Sequence, residues 1–287
     1  MRDMAGAFTL VTGAAGGLGP AIAHTLAAEG CRLALSAHPA DDLEQLVSSI
    51  RNAGGEAFSF PIDLAEPGAP EALAAQAETA LGGIDILVNG AGVERMAAFE
   101  MLGADEIMRM ITVNLTAPLL VTRAVLPGML QRGRGHVVNL ASLAGVGPPP
   151  FGATYAATKA GLMAFTRALR TECADRGVSA SAICPGFVSD AGMYQRMSSR
   201  TGVESPLLLG TTSSGEVAKA VLRAILDDEP LVIVNPGPMR LMRALDALLP
   251  RTGDWIFDAI GVTDVMRRWS EFNTVAAPIV EHEAQAS

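Results

Sequence analysis

The stretch Phe8-Thr9-Leu10-Val11-Thr12-Gly13-Ala14-Ala15-Gly16-Gly17-Leu18-Gly19 decides the fold of this chain. Phe8 to Thr12 is a short uncharged run, rich in apolar and β-branched residues, and reads as a buried strand. Glycines follow at once, and beyond them Ile22, Leu26 and Ala27 share one helical face until Gly30 stops the pattern. A glycine-rich turn between a strand and a helix lets the backbone approach a pyrophosphate. The phosphate charge then meets free N–H groups and the positive end of the helix dipole. Taken alone, such a turn is equally a flexible connection without a ligand.

The surroundings favour the first reading. Working outward, short apolar runs alternate with helical patterns: strand Leu33–Leu35, helix Asp41–Ala53, strand Ala57–Ile62, helix Ala69–Leu81 and strand Ile84–Val88. A long helical stretch over 104–131 precedes strand Val137–Leu140, and helix Thr154–Arg176 precedes strand Ser179–Cys184. A helix opened by Ser213-x-x-Glu216 and a strand Leu231–Val234 complete the series. Such alternation predicts right-handed βαβ units: an α/β doubly wound parallel sheet, three layers deep, of the Rossmann type. No composition break appears before about residue 235, so residues 1–235 are expected to form one unit.

The composition agrees. Hydrophobic residues make up 49% of the 287-residue chain but aromatics only 5%, the mixture expected of parallel strands covered on both faces. A formal net charge of -9 gives no general attraction for nucleic acid or anionic lipid. Cys31, Cys173 and Cys184 lie far apart, and His24, His38, His136 and His282 show no ligand spacing, so neither disulfides nor a metal site is expected. The amino terminus is a poor signal peptide, and a cytoplasmic location is the expectation.

The second strand is expected to end beside the adenosine ribose of a dinucleotide. An acidic residue there would favour NAD(H) by accepting from the 2′-hydroxyl. Here stand Ala37 and His38, which leave room for a 2′-phosphate, so NADP(H) is favoured over NAD(H). The alternative is that His38 is an exposed loop residue and that Asp41 or Asp42 reaches the ribose.

The chain has two tyrosines and two lysines, and one of each forms Tyr155-Ala156-Ala157-Thr158-Lys159. At this spacing both side chains share one helix face. A phenol is a poor acid–base group near neutrality unless a neighbouring ammonium stabilises its phenolate. Ser142 ends the fifth strand, at the side of an open parallel sheet where ligands sit, and is placed to hold a substrate oxygen beside Tyr155. Each residue alone has an ordinary structural explanation in packing or turns; their joint placement points to chemistry.

With these residues in view, the chain resembles the short-chain dehydrogenase/reductase family in its compact branch. The matching residues are Thr12-Gly13-x-x-x-Gly17-x-Gly19, Asp63, Asn89-Gly90-Ala91-Gly92, Asn114, Ser142, Tyr155-x-x-x-Lys159 and Pro185-Gly186. The resemblance implies an NAD(P)(H)-dependent oxidoreductase that interconverts a secondary alcohol and a ketone. It implies Tyr155 as general acid/base, Ser142 polarising the carbonyl, Lys159 lowering the tyrosine pKa and bonding the nicotinamide ribose, and Asn114 holding a water in a proton relay. It further places Gly13, Ala15, Gly17, Leu18, Gly19, Ala37, His38, Asp63, Leu64, Asn89, Gly90, Ala91, Tyr155, Lys159, Pro185, Gly186 and Val188 along the dinucleotide. Two departures stand out. Asn-Gly-Ala-Gly replaces the commoner Asn-Asn-Ala-Gly, and Phe187-Val188-Ser189 lacks the threonine often found after Pro-Gly, where Ser189 is the candidate substitute.

The same resemblance makes residues 189–212 a substrate lid. Met193, Tyr194, Met197 and Pro206-Leu207-Leu208-Leu209, with Phe151, predict a largely apolar pocket for a small carbonyl or alcohol substrate, although ordinary lid packing would look the same. Residues 236–272 read as a helical extension, with amphipathic patterns over Met239–Leu249 and Trp255–Trp269, and 273–287 as a tail. The extension is expected to cover the cleft or join subunits. Its equal numbers of arginines and acids between Pro238 and Phe272 argue against an anionic membrane. A homodimer or homotetramer is expected by analogy with the family. Two rival readings remain open: a non-catalytic dinucleotide-sensing protein, and an epimerase or dehydratase that keeps its cofactor.

Overall fold

Each strand sends alternate residues to opposite faces, and this sequence makes both faces apolar. Leu10, Ala34, Leu87 and Val137 pack into one core, while Val11, Leu35, Val88 and Val138, each one residue further on, pack into another. The computed structural model describes residues 4–237, 248 and 258–275. Its strands are β1 (Phe8–Thr12), β2 (Arg32–Ala37), β3 (Glu56–Pro61), β4 (Ile86–Asn89), β5 (Gly135–Leu140), β6 (Val178–Pro185) and β7 (Leu231–Val234). They form one seven-stranded sheet in the order β3-β2-β1-β4-β5-β6-β7, and every pairing is parallel.

Helices cover both faces. On one side α1 (Gly19–Ala28), α2 (Leu43–Asn52) and α8 (Ser214–Leu226) bury Ile22, Val47 and Val221; on the other α3 (Ala69–Leu81), α5 (Ala117–Arg132) and α6 (Ala153–Cys173) bury Leu73, Val125 and Leu169. The chain winds outward from β1 through β2 to β3, then crosses back to lay β4 against the other side of β1. Between β1 and β4 the direction of winding reverses, and a crevice opens there above the carboxyl ends of the strands.

Several elements differ from the sequence reading. The fourth strand runs Ile86–Asn89, not Ile84–Val88, although the Asp85 backbone still donates to the Phe8 carbonyl at 2.7 Å and accepts from the His136 N–H at 2.9 Å. The helix expected over 104–131 is α4 (Ala104–Ile111), a π-turn at Thr112–Thr116, and then α5. A polar helix, α7 (Gly192–Thr201), forms inside the expected lid. In the carboxyl-terminal region the second expected helix appears as α9 (Val262–Val275), and the pattern over 239–249 lies outside the described residues except for Leu248.

Candidate active site

The carboxyl ends of β1 to β6 bring the expected residues to one edge of the sheet. The turn after β1 folds tightly upon itself. A Cβ on Gly13 would stand 2.7 Å from the Ala91 backbone, and one on Gly19 would stand 2.3 Å from the carbonyl oxygens of Gly13 and Ala14. Gly16, by contrast, points into open space. No side chain caps α1, whose cap position is Leu18, whereas Asp42 caps α2 and Ser213 caps α8. An uncapped helix start beside an open glycine turn leaves backbone N–H groups and the helix dipole to an anion. This geometry fits a dinucleotide pyrophosphate, with Ala15, Gly17 and Leu18 along the same turn.

Toward β2 and β3, Ala37 is buried at the strand end and His38 begins the loop. His38 is not a free loop residue: Nδ1 accepts from the Ala40 N–H at 3.2 Å, and Nε2 lies 3.6 Å from the Asp63 carboxylate. Asp63 also faces Arg109 of α4 at 3.4 Å and accepts from the Ala65 N–H at 2.9 Å. Leu64 is buried beneath it. Arg109 belongs to this half of the crevice, yet nothing in its local sequence announces that placement.

The β4 end is fastened to β1. Thr12 Oγ1 accepts from the N–H groups of Gly90 and Ala91 at 3.1 and 3.3 Å. A Cβ on Gly90 would meet the Thr12 carbonyl oxygen at 2.7 Å, so glycine suits this position where asparagine is commoner in the family. The Asn89 side chain points into the helix layer instead of the crevice. Its Nδ2 donates to Asn139 Oδ1 at 2.8 Å and to Thr122 Oγ1 at 3.2 Å. Asn89 therefore belongs to a buried ladder that continues from Asn139 to Thr166 of α6.

The four expected chemical groups come together. Tyr155 and Lys159 project from one face of α6, with Lys159 Nζ 5.6 Å from the centre of the Tyr155 ring. Ser142 stands just beyond β5, near enough to the Tyr155 phenol to favour its charged form, and its Oγ accepts from the Ala144 N–H at 3.1 Å. Lys159 Nζ donates to the Leu140 carbonyl at 2.9 Å. Asn114 sits in the π-turn, fully buried; its amide donates to the Val93 carbonyl and accepts from the Val93 N–H, both at 2.8 Å. An extra residue in one helical turn aims that amide sideways at the β4 loop, the usual consequence of a π-bulge at a site.

Burial dominates the electrostatics. It pushes the Tyr155 phenol up, helped by the negative charge of Glu94, while Ser142 opposes the shift. It pushes Lys159 down to about 8, with Glu94 opposing. Burial also pushes Glu94 up to about 7, against Arg196 and Lys159. The site thus holds a protonated phenol beside an ammonium whose charge burial disfavours.

Over these groups lies an apolar shell. Met96, Met110, Leu209, Val262, Val265, Met266 and Trp269 are buried in one cluster with Tyr155, and Phe151, Met193 and Met197 pack against it. Phe151 takes a left-handed backbone (φ +63°) just before α6. Pro185, the last residue of β6, and Gly186 lead to Val188, which bridges Thr212 at the base of the lid. Ser189, the expected substitute for threonine, spends its hydroxyl on the Thr212 carbonyl at 3.2 Å. Val262, Val265, Met266 and Trp269 of α9 pack in the cluster that holds Tyr155. Trp269 meets Phe187 edge-on at 6.2 Å and Tyr194 at a tilt at 5.8 Å, and Asn273 donates to the Met96 carbonyl at 2.9 Å.

Comparison with known proteins agrees with this geometry. Residues 7–201 match the short chain dehydrogenase family. The chain is 37% identical to ketoacyl reductase HetN of Nostoc sp., over 94% of this chain and 95% of that protein. Among solved structures, a metagenomic short-chain oxidoreductase in complex with NADP is 32% identical and superposes with a TM-score of 0.69, over 80% of this chain and 97% of the other. An NAD+-bound xylitol dehydrogenase is 27% identical with a TM-score of 0.74, over 82% of this chain and all (100%) of the other. The chain belongs to the short-chain dehydrogenase/reductase family. Within it, the protein is an NAD(P)-dependent dehydrogenase/ketoreductase acting on CH–OH groups and their carbonyl counterparts.

Proposed function

We propose that this enzyme is an NADP(H)-dependent reductase of 3-oxoacyl esters and thioesters with an apolar acyl chain. The observation that carries the reading is the apolar shell closing over Ser142, Tyr155 and Lys159, with methionines and Trp269 where a sugar-like substrate would require polar partners. Similarity to a ketoacyl reductase along nearly the whole chain supports the acyl class. Residues 1–235 act as the catalytic unit in this reading, and α9 closes the substrate side.

When bound, the dinucleotide supplies a hydride from its nicotinamide C4 to the carbonyl carbon. This chain's residues handle everything else. Ser142 holds the carbonyl oxygen. The protonated Tyr155 phenol, which burial keeps protonated, donates to that oxygen as charge develops there. The Lys159 ammonium beside the ring stabilises the resulting phenolate. Asn114 fixes the β4 loop through Val93 and lies next to Lys159, where a relay returns the proton from solvent. Gly13, Ala15, Gly17, Leu18 and Gly19 bind the pyrophosphate; Ala37, His38, Asp63 and Leu64 receive the adenosine; Asn89, Gly90, Ala91, Pro185, Gly186 and Val188 frame the nicotinamide half. With Ala37 in place of an acid and His38 beside it, the adenosine end accepts a 2′-phosphate.

The test is nicotinamide absorbance with NADPH and NADH, against 3-oxoacyl thioesters of increasing chain length and a set of sugars and polyols. Turnover of the thioesters with NADPH preferred is expected. Turnover confined to polyols, or a preference for NADH, would overturn the substrate or the cofactor assignment respectively.

A further inference from the structure

Among the described residues of the apolar shell around Tyr155, Trp269 Nε1 is the one buried side-chain polar atom without a hydrogen-bond partner. The residue is 2% exposed, so water does not reach this N–H either. A buried donor left unpaired is costly, and nearly all such groups in folded proteins find an acceptor. The acceptors in the same region are engaged elsewhere. Tyr194 Oη accepts from the Ser205 N–H at 3.0 Å, the Leu209 carbonyl from Asn235 at 2.9 Å, and the Ser270 carbonyl from the Thr274 hydroxyl at 2.8 Å. The indole is also held in place. Phe187 and Tyr194 pack against its ring, and Asn273, one helical turn further on, is fastened through two groups. Its amide donates to the Met96 carbonyl and its own carbonyl accepts from Arg95, both at 2.9 Å. A fixed, dry and unpaired donor therefore stands in the compartment of the reacting phenol, where a few placed polar groups orient a ligand among apolar walls.

We propose that Trp269 is a specificity-determining residue: its indole N–H donates to the ester or thioester carbonyl oxygen of a 3-oxoacyl substrate, while Ser142 and Tyr155 hold the ketone oxygen two carbons away. This rests on the ketoacyl reading of the site and deepens it. Ser142 and Tyr155 take the reacting oxygen, so the acyl carbonyl is the substrate's remaining strong acceptor, and the shell offers it one free donor. A plain ketone of equal length fills the same apolar walls but leaves the indole N–H unpaired, and the site discriminates against it for that reason. The donor carries no charge, so it selects a neutral acyl oxygen and asks for no carboxylate. It comes from α9, beyond residues 7–201 that match the family, and so belongs to this chain's own extension. The bland alternative is an N–H resting on the face of the Phe187 ring, which meets the indole at 87°.

Ethyl acetoacetate and 2-heptanone are methyl ketones of equal chain length, and only the ester carries a second carbonyl. The full chain, W269F and F187L are compared, with NADPH, on the ratio of kcat/KM for the ester to that for the ketone. W269F removes the donor and should lower the ratio by about tenfold or more. F187L disturbs the packing around the indole but keeps its N–H, and should leave the ratio within about threefold. If Trp269 only seals the compartment, or its N–H rests on the Phe187 ring, W269F will shift both substrates alike and the proposal fails. It also fails if F187L lowers the ratio as far as W269F does. A second measurement uses the unaltered protein and so does not depend on the folding of a variant. The chain has two tryptophans, and Trp255→Phe assigns their indole N–H resonances. In the complex with NADP+, where reduction cannot proceed, ethyl acetoacetate should move the Trp269 resonance downfield and 2-heptanone should not. No shift, or an equal shift with both compounds, overturns the proposal. Turnover of 2-heptanone without turnover of the ester would remove the ketoacyl reading itself, whereas ester turnover with an unmoved ratio would remove only the role of Trp269.

Discussion

Two alanine substitutions in one turn should have opposite effects. Gly13 has φ +67°, and a Cβ on it would lie 2.7 Å from Cα and N of Ala91 and 2.9 Å from the Gly90 carbonyl carbon. All three atoms are backbone, and Thr12 Oγ1 fastens that segment from the other side, so it cannot simply swing away. Placing an L-residue in the left-handed region costs about 1–2 kcal/mol. Forcing the two turns apart adds about 1–3 kcal/mol of overpacking. Gly13→Ala should therefore lose about 2–5 kcal/mol, a fall in Tm of roughly 5–20 °C for a chain this size. Gly16 lacks a left-handed φ and its Cβ would meet nothing within 4 Å. Gly16→Ala should be neutral or gain up to about 1 kcal/mol by restricting the unfolded chain. Urea unfolding of the cofactor-free proteins measures both. Equal losses at the two positions, or a harmless Gly13→Ala, would refute the packing of the β1 turn against the β4 loop.

Further predictions concern the base of the sheet and the carboxyl-terminal cover. His136 of β5 is buried, and its ring shares a 2.8 Å hydrogen bond with Ser181 Oγ, which itself donates to the Glu229 carbonyl; burial pushes His136 down to about 4. Because the folded value lies below the ordinary 6.5, the unfolded chain binds more protons between pH 4 and 6.5, and stability falls on acidification through that window. The full contribution is about 3 kcal/mol. Glu94, raised from 4.5 to about 7, acts with the opposite sign over nearly the same range. Hence the check is the difference between the unaltered protein and His136→Gln in urea midpoints from pH 7 to 4, which should shrink as pH falls. Trp269→Ala should cost about 3–5 kcal/mol, because the ring is 2% exposed and packs on Phe187 and Tyr194. It should also raise KM for long-chain thioesters more than for acetoacetyl thioester; an unchanged Tm would show that α9 does not seal the cleft.

What could be read from the sequence was local. The β1–turn–α1 unit, the Tyr155–Lys159 spacing and Ser142 at a strand end each declare themselves within a few residues, and the alternation of Leu10 and Val11 or Leu87 and Val88 fixed both sheet faces. The π-turn at Thr112–Thr116 was not legible, because apolar residues continue through it and one extra residue does not disturb the pattern. Helix α7 buries none of its residues fully, so it offers no periodicity to detect. Arg109 beside Asp63 is a meeting of segments far apart in the chain. No spacing rule announces it. Asn89 stands at the carboxyl end of β4 with its side-chain amide in the ladder to Asn139 and Thr122, a pairing across distant segments that no local spacing announces.

The central claim is that Tyr155 supplies the proton to a 3-oxoacyl carbonyl, while most of the dinucleotide's contacts come from other residues. Tyr155→Phe removes one hydroxyl from a buried ring and keeps its packing. NADPH oxidation with acetoacetyl thioester should fall by about a hundredfold to ten-thousandfold, while NADPH binding, followed by its fluorescence, stays within about threefold of the unaltered enzyme. Retention of turnover in Tyr155→Phe would contradict the account outright.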